Sequence, residues 1–259
     1  MLAGTIGLTW LVWYQTWFGA RLTDDGLTAS MAASAKPRDV QHGIEEITRR
    51  FDERRPGMDR WAKALVEASR REEEPVRISA AWAMFFDPGR AEFVARLGEL
   101  VASDPSVLVR RNAATSLAKS GEAAARPVLR SMLEPFTVTA PEPGVLASSV
   151  AVDAIVRENV PAARLRRDDG STADVLAPVP GRVMQRVAAE GARVAKGEAL
   201  LVLAPDSVHV HNAVLGLMLV GTNDDLEILG AAAAPQSAYP VEVKTAAARA
   251  MEAIRARGR

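Results

Sequence analysis

Hydrophobic and polar positions change their rhythm three times along the chain, and each rhythm predicts a different kind of element. Residues 2–20 carry no charge, and Gln15 is their one strongly polar side chain. At about 1.5 Å per residue, a helix of that length covers roughly 28 Å, against a bilayer core of about 30 Å. Trp10, Trp13, Tyr14, Trp17 and Phe18 crowd its C-terminal half, where aromatic rings meet lipid headgroups. The stretch predicts an N-terminal transmembrane helix over 1–21. It lacks the basic leader and small cleavage-site residues of a secretory signal. The competing reading is an aromatic-rich helix docked on the rest of the protein, because Trp10, Tyr14 and Trp17 share one helical face. Arg21, Lys36 and Arg38 follow the segment and nothing basic precedes it. The positive-inside rule therefore leans toward a single-pass protein whose body is cytoplasmic rather than periplasmic.

After a linker over 22–38, residues 39–134 alternate helical periodicity with short turns. The turn signals are Pro56-Gly57, Asp87-Pro88-Gly89, Asp104-Pro105 and Ser120-Gly121. Between 135 and 206 the pattern shifts to short Val- and Leu-rich runs broken by Pro and Gly, which predicts strands. From 207 to 259 helical periodicity returns, so the strands form an insert between two helical parts.

Composition narrows the function classes. Lys+Arg and Asp+Glu are both 32 in 259 residues, so no net basic field exists to hold nucleic acid. Cysteine is absent, which removes disulfides, thiolate metal sites and a cysteine nucleophile together. At 48% hydrophobic and 25% charged the chain is globular, but only 5% is aromatic, so its cores must be Ala, Leu and Val packing.

Two segments of the first helical part superpose: 75–84 (PVRISAAWAM) and 108–117 (LVRRNAATSL), with Val76 and Val109 lying 33 positions apart. A third copy is expected at 242–251 (EVKTAAARAM), aligned on Val243. Each copy has a Val followed by a cation, then paired small residues (Ala80 and Ala81, Ala113 and Ala114, Ala247 and Ala248) that let helices approach closely. Met84, Leu117 and Met251 are expected to fill the space between them. The stretch Asp-Pro-Ser-x-x-Val-Arg-Arg-Asn-Ala-Ala at 104–114 resembles bacterial HEAT repeats, over roughly 39–133 and 207–256. That resemblance implies an α-solenoid with a protein-binding surface and no catalysis. It makes Arg77, Arg110, Arg111 and Lys244 the candidate interaction residues, with solvated or inter-repeat bracing roles as the alternative. A bacterial inner membrane is the expected location.

The insert is itself duplicated. Val138-Thr-Ala-Pro-Glu-Pro-Gly144 and Val175-Leu-Ala-Pro-Val-Pro-Gly181 are related by 37 positions. A one-residue slip follows, after which Asn159 stands where Gly197 stands, in a turn that favours positive φ. This pattern resembles the biotinyl/lipoyl domain, a barrel-sandwich hybrid, and most closely its unmodified form in membrane-fusion adaptor proteins. Carrier members of that family expose a modified lysine on the hairpin joining the halves. Here that hairpin is Arg164-Leu-Arg-Arg-Asp-Asp-Gly-Ser-Thr172, without lysine, and Lys196 lies in the other turn. No biotin or lipoyl cofactor is expected.

The residues that remain carry little chemistry. His209 and His211, with Asp206 before them, would offer metal ligands if extended, but Ser207 reads as the N-cap of a helix that points them apart. His42 reads as a surface residue, Asp224 and Asp225 as helix-capping residues, and 70–74 as a solvated charged loop. No nucleophile elbow, phosphate loop or dinucleotide fingerprint occurs. The expected fold class is α+β multidomain: an α-solenoid interrupted by a small all-β barrel-sandwich hybrid, with one N-terminal transmembrane helix. The expected function is a non-enzymatic, membrane-tethered scaffold for a protein partner, with no metal, nucleic acid or small-molecule substrate. An adaptor of an export or efflux assembly is its chief rival, and a biotin/lipoyl carrier is a second.

Overall fold

A computed structural model describes residues 21–258. The expected membrane helix over 1–21 lies outside the described residues except for Arg21. Among the described residues, no helix is long and apolar enough to cross a membrane. The chain divides into two compact units, Met1–Arg96 and Leu97–Arg259.

The first unit is helical. Residues 22–38, expected as a linker, contain a helix, α1 (Asp24–Ser30), capped by the Thr23 hydroxyl accepting from the Gly26 N–H at 3.2 Å. Leu27 anchors it in the core, and Arg50 donates to the Leu22 carbonyl at 2.6 Å. With one apolar anchor in seven residues, α1 has too little periodicity to be read from sequence. Helix α2 (Pro37–Asp52) buries Val40, Ile44, Ile47 and Phe51, the i, i+4, i+7, i+11 stripe of an amphipathic helix. Gly43 on α2 admits the end of α1, since a Cβ there would sit 2.4 Å from Ser30 Oγ. Helices α3 (Asp59–Ala68) and α4 (Glu74–Ala83) follow, and α4 packs on both α2 and α3. Its Val76, Ala80 and Ala81 are fully buried, as the repeat pattern predicts, and so is Met84 in the 3-10 turn after it.

Helix α5 (Ala91–Ser103) carries the division between the units. In the second unit, Ser106 caps α6 (Val107–Lys119), whose Val109, Ala113, Ala114 and Leu117 are buried. The short α7 (Arg126–Ser131) is followed at once by the insert. Beyond the insert come α8 (Ser207–Val220), α9 (Leu226–Ala233) and α10 (Val241–Arg257). Helix α8 packs on α6 and α7, so the strands interrupt the sequence of the helical layer but not its packing. Gly216 makes the approach possible: a Cβ there would lie 2.7 Å from a Leu129 methyl and 3.4 Å from the Ala118 Cβ.

The third repeat copy needs correction. On α10, Ala247 is buried, but Ala248 is exposed and Met251 only half-buried. Helix α10 buries Val243, Ala246, Ala247, Ala250 and Ile254 against α8 and α9, a face rotated from the expected one. The buried set Ala113, Ala114, Ser116, Leu117 of α6 recurs instead on α8 as Ala213, Val214, Gly216, Leu217.

Eight strands form the insert: β1 (Phe136–Thr139), β2 (Gly144–Ser149), β3 (Ile155–Val156), β4 (Pro161–Arg166), β5 (Thr172–Leu176), β6 (Gly181–Arg186), β7 (Arg193–Val194) and β8 (Ala199–Pro205). They make two antiparallel four-stranded sheets, β1-β8-β6-β3 and β5-β4-β2-β7. Neither order closes on itself, so these are two separate sheets and not a closed barrel. Exchanging the first four strands with the last four converts one order into the other. The exchange holds for single residues. Buried Val138, Leu146, Val156 and Leu165 correspond to buried Val175, Val183, Val194 and Leu203. The bulge between Leu146 and Ser148 recurs between Val183 and Gln185. Asn159 (φ 58°) matches Gly197 (φ 84°), and Asp153 (φ 67°) matches Gly191 (φ 86°). The duplicated Gly144 and Gly181 share one reason: a Cβ would meet the facing strand's carbonyl, Arg166 O at 2.9 Å or Ala204 O at 2.4 Å.

Because β1 pairs with β8, Phe136 opposite Leu203, the two ends of the insert lie side by side at its root on the helices. The same exchange relates this root to the β4–β5 turn, closed by Arg167 N–H donating to Ser171 O at 2.8 Å.

Candidate functional site

Three of the four predicted interaction cations have one local job. Arg77 donates to the carbonyls of Arg71 (3.1 Å) and Glu72 (2.6 Å). Arg110 does the same to Asp104 and Pro105, and Lys244 to Pro235 at 2.8 Å. Each cation ties the start of its helix to the turn before it, satisfying carbonyls that a helix end or turn leaves open. The charged loop over 70–74 is also structural, because Arg71 reaches Ala35 O at 3.0 Å and pairs with Glu73 at 3.1 Å.

Arg111 differs. It is 5% exposed, and no carboxylate pairs with it among the described residues. Its Nη1 lies 3.2 Å from His209 Nδ1, and its guanidinium lies 5.8 Å from the centre of the Phe136 ring. Three elements therefore meet at this side chain: α6, the first residue of β1, and the first turn of α8. Burial, with Arg110 adding to it, pushes the Arg111 guanidinium down to about 10, and Asp206 opposes them. His209 is also lowered, first by burial and then by Arg111, against the pull of Asp206 and Glu158. Arginine only donates, so Nδ1 must accept, which leaves the imidazole proton on Nε2.

Helix α8 starts as expected, but Asp206 and not Ser207 caps it, accepting from Val208 N (2.9 Å) and His209 N (3.3 Å). His209 and His211 stand two apart on a helix and point to different sides. Among the described residues no group of three His, Cys, Asp or Glu could hold a metal.

Asp225 is a second buried centre that the sequence understates. It is fully buried, accepts from Arg126 at 2.7 Å and Arg130 at 3.2 Å, and closes a capping box with Thr222 N at 2.9 Å. Burial alone would raise its carboxyl, but the Arg126 hydrogen bond, the Thr222 backbone and Arg130 together hold it below its ordinary value. Asp224 pairs with Arg126 at the surface, at 3.1 Å.

In the first unit a groove of about 500 Å³ opens between α2 and α4. Arg38, His42, Glu45, Thr48, Ser79 and Trp82 line it, so His42 sits in a concave surface. Trp82 is 38% exposed, stacked on Phe85 (5.2 Å between centroids, 8° between planes) and met edge-on by Phe86 at 6.0 Å. A rigid aromatic platform beside mixed charges suits a peptide or protein surface, for which tryptophan and arginine are the usual anchors. Of the four predicted cations, only Arg110 and Arg111 lie at one site. In the sequence, Trp82 stands out only as part of a repeat motif.

Residues 58–137 match the family model of HEAT repeats, a stretch holding both of the first two repeat copies. No curated protein matches the chain. Residues 58–137 are thus similar to HEAT repeats, which are generally a scaffold fold for protein interaction.

Proposed function

We propose that this protein is a non-enzymatic scaffold that holds a protein partner in the α2–α4 groove, with Trp82 as the anchor. The observation that carries the reading is this partly exposed, stacked tryptophan, which lies within the stretch that matches HEAT repeats and lines a groove. The N-terminal segment over 1–21 tethers the scaffold to a bacterial inner membrane as a single-pass anchor, with the body on the cytoplasmic side. Its support is the uncharged, aromatic-flanked sequence. The insert serves as an unmodified lipoyl-like module. Its support is the duplicated glycine pattern, the exchange of strands between its halves, and a β4–β5 turn without lysine.

The export-adaptor reading draws on the same strand exchange and differs in requiring a periplasmic body. Single cysteines introduced near Arg167 and labelled with an impermeant maleimide separate the two. Labelling confined to permeabilised cells supports the cytoplasmic scaffold, and labelling of intact cells overturns it. The tether is tested by fractionation: the full chain should sediment with membranes and a chain starting at residue 22 should not. The carrier reading predicts an added mass on the intact protein, and an unmodified mass ends it.

A further inference from the structure

We propose that the root of the insert holds a binding site for one compact oxyanion, a carboxylate or phosphate group, seated against Arg111. A buried cation without a counter-ion is costly, and proteins pair such groups or bring them a ligand. Arg111 is more than nine-tenths buried, and its Nε has no hydrogen-bond partner among the described residues. Its Nη1 is taken up by a neutral imidazole, which supplies no charge.

Arg111 also borders a cavity of about 200 Å³ between α6, α7 and the start of β1. Arg110 lines the same cavity, together with Ser131 and Thr137. Arg110 donates to the carbonyls of Asp104 and Pro105 and makes no ion pair among the described residues. The volume accommodates an ion of acetate or phosphate size. Val107, Val128 and Phe136 supply its apolar walls.

One carboxylate, Glu134, lines the cavity too, but it is half-exposed and is held by Arg130 at 3.6 Å. It marks the mouth and opposes an incoming anion. A bound oxyanion would bridge α6 to β1 and so stiffen the joint between the insert and the repeats.

The test is calorimetric titration of the full chain in detergent, at constant ionic strength with chloride as the balancing ion. Inorganic phosphate and acetate are the two probes, and the one that saturates names the chemistry. One-to-one binding is expected for at least one of them. Arg111→Met should weaken it roughly tenfold or more, as loss of a charge-assisted pair does. Arg110→Gln should weaken it by about threefold, and Glu134→Gln should tighten it by a similar factor. If Arg111→Met does not fold, the opposed effects of Arg110→Gln and Glu134→Gln carry the test. Absence of saturable binding by both probes overturns the proposal, as does binding that these variants leave unchanged. Loss of stability in Glu134→Gln without tighter binding also overturns it, because Glu134 would then be the counter-ion itself.

Discussion

At the scale of single residues, the buried charges decide most. Asp225 holds two arginines from α7 at the turn before α9, so Asp225→Asn removes a charge from a fully enclosed network. Its loss should cost about 2–3 kcal/mol in chemical denaturation, in line with hydrogen bonds to charged partners. Because the folded carboxyl lies below its unfolded value, that stabilisation is complete above the ordinary carboxylate range and fades as pH falls through the folded value. His209 works over a different window. Its folded value is also lowered, so the unfolded chain takes up the proton first, and stability falls as pH drops below about 6.5. His209→Gln should therefore flatten the stability profile between pH 7 and pH 5. Denaturation midpoints across that range check it, and an unchanged slope would contradict the burial of His209 beside Arg111. The sequence marked Arg111 as a candidate but could not show its partner, which lies 98 positions away beyond the insert.

At the scale of elements, glycines set which helices and strands can touch. Gly181→Val would drive side-chain atoms into the Ala204 carbonyl, and Gly216→Val into Leu129 and Ala118. Each should cost about 1–3 kcal/mol as overpacking, measured by urea unfolding. A loss at Gly216 alone would show that the strand pairing at Gly181 yields more easily than its geometry suggests. Several elements were legible in advance for local reasons. Val76, Val109 and their alanine pairs follow helical period, and Asn159 takes positive φ where its counterpart is glycine. Two elements were not. Helix α1 has one buried anchor, Leu27, and so no period to read. Helix α8 is apolar on nearly all sides, so its likeness to α6 lies in which residues are buried and not in the letters. For that reason the letters point to α10, whose alanine run is closer although Ala248 faces solvent.

At the scale of the molecule, the second unit is a helical layer with a β insert whose two ends are adjacent strands. Adjacent ends are the condition under which an insertion leaves its host intact. Excising residues 137–202 and joining the cut with a short Gly-Ser link should therefore keep helical circular dichroism and one cooperative unfolding transition. Loss of cooperativity would mean that α8 depends on the insert and not on α6 and α7. The reading of the whole chain as a scaffold rests on the α2–α4 groove, and crosslinking from inside it is the most direct test. A photoreactive residue placed at Ser79, in the groove, should capture one discrete protein adduct in cells. The same residue placed at Glu67, on the exposed face of α3, should not, and Trp82→Ala should abolish the Ser79 adduct. Equal adducts from both positions, or none from Ser79, would contradict the account.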